Sequence, residues 1–184
     1  MKNGILTFLL VAFAMVSTLA QPLLDRTGTA SFYSEAPLED IEAINEEVLG
    51  AIDLEKGTLA VSMFIKKFNF ERSLMQEHFN ENYLESDKYP KATFKGVIKD
   101  FAAINFTEAG SFEAQAEGEM EIHGVVRPLT AVVKFNVSPE TLRVSTEFEV
   151  SVADHEIEIP KLVIKNIAEV VEVRASFNFK RQER

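Results

Sequence analysis

The chain has 184 residues, 26% of them charged and 46% hydrophobic, with 19 basic against 29 acidic side chains, a formal net charge of -10 and no cysteine. That length holds one good core and is short for two, and an acidic field of this size repels nucleic acid and anionic membrane surfaces, where affinity needs Lys and Arg on the phosphates. Without cysteine the chain cannot be a disulfide scaffold, a thiol enzyme or a lipoprotein anchored through that residue.

Met1 to Ala20 carries one positive charge at Lys2, an apolar run from Ile5 to Val16 and the small-residue end Ser17-Thr18-Leu19-Ala20. This is the pattern of a secretory signal peptide over 1–20, cleaved near Ala20, and its apolar run is shorter than the roughly 20 residues a membrane span needs. The expected product is a single domain over 21–184, periplasmic or secreted, with no stable membrane insertion.

Thr27 to Ser34 reads as a first strand. Pro37, Glu39 and Asp40 then predict a short helical turn over about 37–45, because proline is tolerated early in a helix and acidic groups suit the positive end of its dipole. Val48, Gly50, Ile52 and Leu54 alternate with polar neighbours, and Lys56-Gly57 turns the chain into Leu59, Val61, Met63 and Ile65, which reads as a hairpin. Ser73 to Asn82 breaks the rhythm. Leu74, Met75, His78, Phe79 and Tyr83 recur at spacings of three and four, predicting an amphipathic helix over about 73–82 with Ser73 and Gln76 as a capping box.

Lys88-Tyr89-Pro90 ends that helix, and Ala92, Phe94, Gly96 and Ile98 begin another strand. From Phe112 to His123 every even position is apolar or small, while Glu113, Gln115, Glu117, Glu119, Glu121 and His123 take the odd ones. After the break from Gly124 to Pro128 the alternation resumes through Ala131, Val133, Phe135 and Val137, so a long antiparallel hairpin is expected. Leu142 to Val152 and Val171 to Phe179 alternate in the same way. Eight half-apolar strands need a common interior, and closure removes their edges. The fold class expected is all-β: an eight-stranded antiparallel lipocalin-like barrel with one amphipathic helix.

The interior of an eight-stranded barrel is either just filled by side chains or just wide enough for one slender ligand. Ala114, Ala116 and Gly118 put small residues on the inner wall, leaving volume that either the helix, through Met75 and Phe79, or a ligand must fill. Of the 15 Phe, only Phe8 and Phe13 lie in the leader. A wall of Phe94, Phe112, Met120, Phe135, Phe148 and Phe177 offers dispersion without hydrogen bonds, which suits a hydrocarbon guest.

Two passages, Glu85-Ser86-Asp87-Lys88-Tyr89-Pro90-Lys91-Ala92-Thr93-Phe94-Lys95-Gly96 and Gly118-Glu119-Met120-Glu121-Ile122-His123-Gly124-Val125-Val126-Arg127-Pro128-Leu129, make the chain resemble the YceI-like family of exported lipocalin-like proteins. The second follows that family's pattern of Gly, an apolar residue, Ile, Gly-Val and Pro. The resemblance covers roughly residues 45 to 180, and it implies an extended barrel, with a helix at its side or mouth, that holds a long isoprenoid such as a quinone or polyprenyl chain. The chain departs from the pattern at Ala30 to Ser34, at Leu74 to Glu77 and at Ala153 to Ile157.

Catalysis finds little support. The sequence has no Gly-x-Ser-x-Gly elbow or Gly-rich phosphate loop, and its three histidines, His78, His123 and His155, stand apart. A metal site needs three or four converging ligands, which His78 with Glu81 or Asn82 does not supply. His123 reads as a solvated hairpin residue and Asp154-His155-Glu156 as a polar loop. Lys66, Lys67, Lys95 and Arg127 are candidates for a headgroup site and read more simply as surface charge. Asn105-Phe106-Thr107 fits a glycosylation sequon. The expectation is a non-enzymatic protein without cofactor or metal, whose partner is an isoprenoid or other long-chain lipid. The alternative is a filled barrel acting as a structural or protein-interaction module, and the oligomeric state, a homodimer included, is open.

Overall fold

The computed structural model describes residues 21–35, 40–159 and 168–181. The expected signal peptide lies outside them. In chain order the elements are β1 (Leu23–Ser34), β2 (Ile41–Asp53), β3 (Thr58–Phe64), β4 (Asn69–Phe70), α1 (Ser73–His78), β5 (Lys91–Ile98), β6 (Gly110–Ile122), β7 (Val125–Val137), β8 (Thr141–Ser151) and β9 (Val170–Lys180). The strands form one sheet in the order β1-β9-β8-β7-β6-β5-β3-β2-β4, and a further β1–β2 pairing closes its eight long strands into an antiparallel barrel. The two-residue β4 is an addition to the eight strands expected, pairing Phe70 with Ala43 and Asn69 with Ile44 where β3 no longer reaches β2.

The hairpin of β6 and β7 is paired without interruption from Gly110↔Val137 to Ile122↔Val125. Its two-residue turn places His123 at φ 54 and Gly124 at φ 73, the paired positive angles of the turn whose twist matches that of the strands it joins. Tyr89 covers the turn so closely that a Cβ on Gly124 would sit 2.6 Å from its ring.

The barrel has two unlike ends. At one, the turns after β2 and β7 and the β5–β6 loop gather, and Phe101 stacks on Phe106, which meets Phe135 edge-on with 5.5 Å between centroids. Phe135, Phe179, Leu142 and Ile52 are fully buried there, so this end is filled. Asp53 secures its β2–β3 turn. The Lys56 ammonium, then the amides of Lys56 and Glu55, hold its carboxyl below the ordinary carboxylate range. At the other end lie α1 and the described parts of the β1–β2 and β8–β9 connections.

Three local expectations are corrected here. Residues 37–39 of the helical turn expected over 37–45 lie outside the described residues, but from Ile41 the chain is strand. Its backbone there pairs with β1 from Ser34↔Ile41 to Ala30↔Asn45, and long-range pairing overrides local helix signals. The expected capping box does not form, because Arg72, not Ser73, is the N-cap and carries no side-chain cap bond. Ser73 is already helical, and the Gln76 Oε1 accepts instead from the Phe70 N–H at 3.4 Å. The helix itself is present, α1 passing without a break into a wider turn over Phe79–Tyr83.

The third concerns Gly118. A Cβ there would lie 2.5 Å from the Gly96 Cα and collide with the Lys95 carbonyl, so the small residue serves a close backbone approach between β5 and β6 and leaves no free volume.

Candidate ligand cavity and its rim

Above the filled end the barrel is hollow. The cavity has a volume of about 360 Å³, within the range of small-molecule sites, and every one of the eight long strands contributes to its wall. Two alanine pairs widen it: Ala30↔Ala175 on β1 and β9, and Ala116↔Ala131 on β6 and β7, which stand nearly opposite in the strand order. Between the cavity and the filled end, the Phe177 ring fits a slot left by Gly28 and Gly50, where a Cβ would approach it to 2.4 and 2.5 Å.

Among its described lining residues the polar groups are Ser34, Thr93, Ser145, Thr146, His78 and Tyr83, and none is Asp, Glu, Lys or Arg. Burial raises the pKa of the Tyr83 phenol above its ordinary value, so the phenol is neutral. An ionised ligand group would find no counter-charge among these described residues and would retain its desolvation cost beside them.

The residues expected to line a ligand divide. Met75, Phe79, Phe94, Ala116, Met120, Phe148 and Phe177 lie on the cavity wall. Phe112, Ala114 and Phe135 belong to the packed cluster toward the filled end, and Gly118 is closed off by backbone, so these four are not on the wall. Phe32, Met63, Phe68, Phe70 and Val173 are wall residues that sequence reasoning did not single out. Alternation along β1 and β3 is compatible with inward Phe32 and Met63, but nothing in the sequence places Phe68 and Phe70 against α1. Phe79 joins Phe32, Phe68 and Phe70 in one aromatic cluster, with centroid separations of 5.5, 5.6 and 4.9 Å.

The histidines at the rim are not solvated residues. His123, whose side chain is 10% exposed, points Nε2 at the Glu85 carboxylate at 2.9 Å and Nδ1 at the His155 carbonyl at 3.2 Å, with its ring edge-on to Tyr89. The reading as a solvated hairpin residue fails because the positive φ of the turn aims the ring inward at the Glu85 loop. His155 is buried, and its Nδ1–H donates to the Val125 carbonyl. The segment Asp154-His155-Glu156 therefore fastens the β8–β9 connection to the β6–β7 turn. Arg127 adds to this clasp by donating from Nε to the Asp154 carbonyl at 2.8 Å.

His78 touches the cavity from the exposed face of α1, and among the described residues no three His, Cys, Asp or Glu side chains converge as metal ligands. Lys66 and Lys67 are paired with Asp87 and Glu47 on the outer surface, and neither they nor Lys95 nor Arg127 reaches the cavity.

The sequence matches the YceI-like domain over residues 27–179. No curated protein matches it. The fold is similar to that of a polyisoprenoid-binding domain from Saccharophagus degradans, at TM-score 0.75 and 15% identity, covering 90% of this chain and 100% of that one. It is similar also to Burkholderia cenocepacia BcnA, at TM-score 0.68 and 15% identity over 84% and 96% of the two chains. The Campylobacter jejuni YCEI protein aligns over 100% of both chains at TM-score 0.58 and 15% identity.

Proposed function

This chain belongs to the YceI-like domain family, and from that premise we propose that it is an exported, non-enzymatic carrier that encloses an isoprenoid chain, of a quinone or a polyprenyl lipid, in its barrel. The observation that carries the reading is a hollow of about 360 Å³ walled by Phe, Val, Ile, Leu, Met and Ala, with no charged side chain among its described lining. Each CH2 taken out of water contributes about 0.8 kcal/mol, so ten buried carbons contribute roughly 8 kcal/mol before ordering costs, and no polar anchor is required. Branched, kinked isoprene units suit a wall built of aromatic rings and alanine gaps. The leader over 1–20 supports export to the periplasm or beyond, with cleavage near Ala20.

The filled-barrel alternative describes the lower part of the interior, around Phe135 and Phe179, better than the upper. Delipidated mature protein mixed with an isoprenoid quinone is expected to co-elute with it in gel filtration at close to one per chain. Quinone that elutes apart from folded protein would remove the carrier reading.

A further inference from the structure

The barrel wall is not continuous. β6 and β7 pair over their whole length and so do β8 and β9, but the ladder between β7 and β8 ends at Val133↔Thr146. Beyond that fork, Val125 to Val132 and Glu147 to Ser151 are strands with no ladder between them. Other ladders stop early too, but the β1–β9 and β2–β3 seams are continued by something else. The β1–β9 seam carries on through the Asp25 Oδ2, which accepts from the Asn178 N–H, and the Ser34 Oγ, which accepts from the Ala168 N–H. Along the β2–β3 seam, β4 takes over.

Side chains meet two of the backbone carbonyls that the split leaves open. Thr146 Oγ1 donates to the Val132 carbonyl at 2.8 Å, and Arg127 Nη1 to the Val126 carbonyl at 3.3 Å. Strand alternation turns residue 128 toward β8 as it does Val132, and Pro128 has no N–H to leave unpaired there. The split is thus framed by the Thr146 fork at one end and by the clasp of Arg127 and His155 at the other. Its inner edges are apolar: Leu129 and Ala131 on β7, Phe148 and Val150 on β8, all on the cavity wall. At the fork the wall is one residue thick, since Ser145 and Thr146 line both the cavity and an outer groove that includes Val132, Lys134 and Glu147.

We infer that this split is a side portal through which the chain of the bound hydrocarbon enters and leaves the cavity. The inference rests on the carrier reading. Along the barrel axis stand, among the described residues, the packed Phe101, Phe106 and Phe135 at one end and the Phe32, Phe68, Phe70 and Phe79 cluster at the other. Spreading β7 from β8 above the fork breaks no ladder bond and meets only the side-chain bonds of Thr146, Arg127 and His155 that frame it, so it costs less than parting a paired seam.

The test uses a chain that has no native cysteine. Thr130→Cys with Glu149→Cys places thiols on two exposed positions across the split, to be joined by a reducible bifunctional reagent. Glu113→Cys with Lys134→Cys joins paired positions within the β6–β7 ladder as a control for general stiffening. Occupancy by a fluorescent geranylgeranyl probe and its release into phosphatidylcholine vesicles are then measured. The Thr130–Glu149 bridge is expected to leave occupancy unchanged and slow release by about tenfold, the effect of raising a barrier by about 1.4 kcal/mol, with reduction restoring the rate. Thr146→Val, which unlocks the fork, is expected to speed release. A bridged protein that binds the probe and releases it at the unbridged rate, or a control bridge that slows release equally, overturns the portal and leaves the carrier standing. A wild-type chain that takes up no probe overturns the carrier reading and the portal with it.

Discussion

His155 is 2% exposed beneath the β6–β7 turn, and burial pushes its pKa below the ordinary value of 6.5. Acceptance by the Val125 and Ile122 carbonyls opposes that shift, the Arg127 charge adds to it, and Asp154 offsets it in part. A proton therefore prefers the unfolded chain, so the His155 contribution to stability is complete above about pH 6.5 and is lost as pH falls below that value. Thermal melts from pH about 8 to about 5 should show this loss, and His155→Gln should flatten it. Glycines offer a second test at this scale. Gly118→Ala forces a Cβ into the Lys95 backbone and should cost about 2 kcal/mol or more in denaturant unfolding. Gly110→Ala meets only the Phe112 ring at 3.3 Å and should cost far less. Alternation in the sequence assigned Gly118 and Ala114 alike to the inner face. It carried no information on how closely two backbones approach, so the glycine read as empty space. Nor could it place His123 and His155, whose partners come from loops distant in sequence.

At the scale of elements, period-two alternation made the eight long strands legible, and three-four spacing did the same for the helix, because both signals are local consequences of burying one face. Capping and the conformation of residues 41–45 are not legible locally because they are decided by pairing and packing across the chain: β1 claims the backbone of β2, and the Gln76 carboxamide serves Phe70. The helix earns its place through Phe79, which the wide turn over Phe79–Tyr83 directs onto Phe32, Phe68 and Phe70. Phe79→Ala removes three ring contacts at once and should destabilise the protein by about 3 kcal/mol in denaturant titration. An unchanged midpoint would mean that the helix lies on the barrel without being packed into it.

For the whole molecule, the residues that define the fold also define the cavity, since every inward position of a closed sheet is either core or wall. The sequence announced that an apolar interior exists; where it is filled and where hollow depended on the plug of Phe101 and Phe106 and on the alanine pairs facing each other across the barrel. Among the described residues the wall carries no charge, and the proposed carrier should select its ligand accordingly. A polyprenol is expected to bind at least about tenfold more tightly than a carboxylate of equal chain length, because the carboxylate would enter unpaired. Equal affinities in a competition assay would contradict that. The central claim, one enclosed hydrocarbon chain per barrel, is tested most directly by native mass spectrometry of the purified mature protein. The account predicts a mass surplus equal to one long-chain isoprenoid lipid, lost on solvent extraction and regained with an isoprenoid quinone. A folded chain that carries no surplus and gains none from added quinone would contradict it.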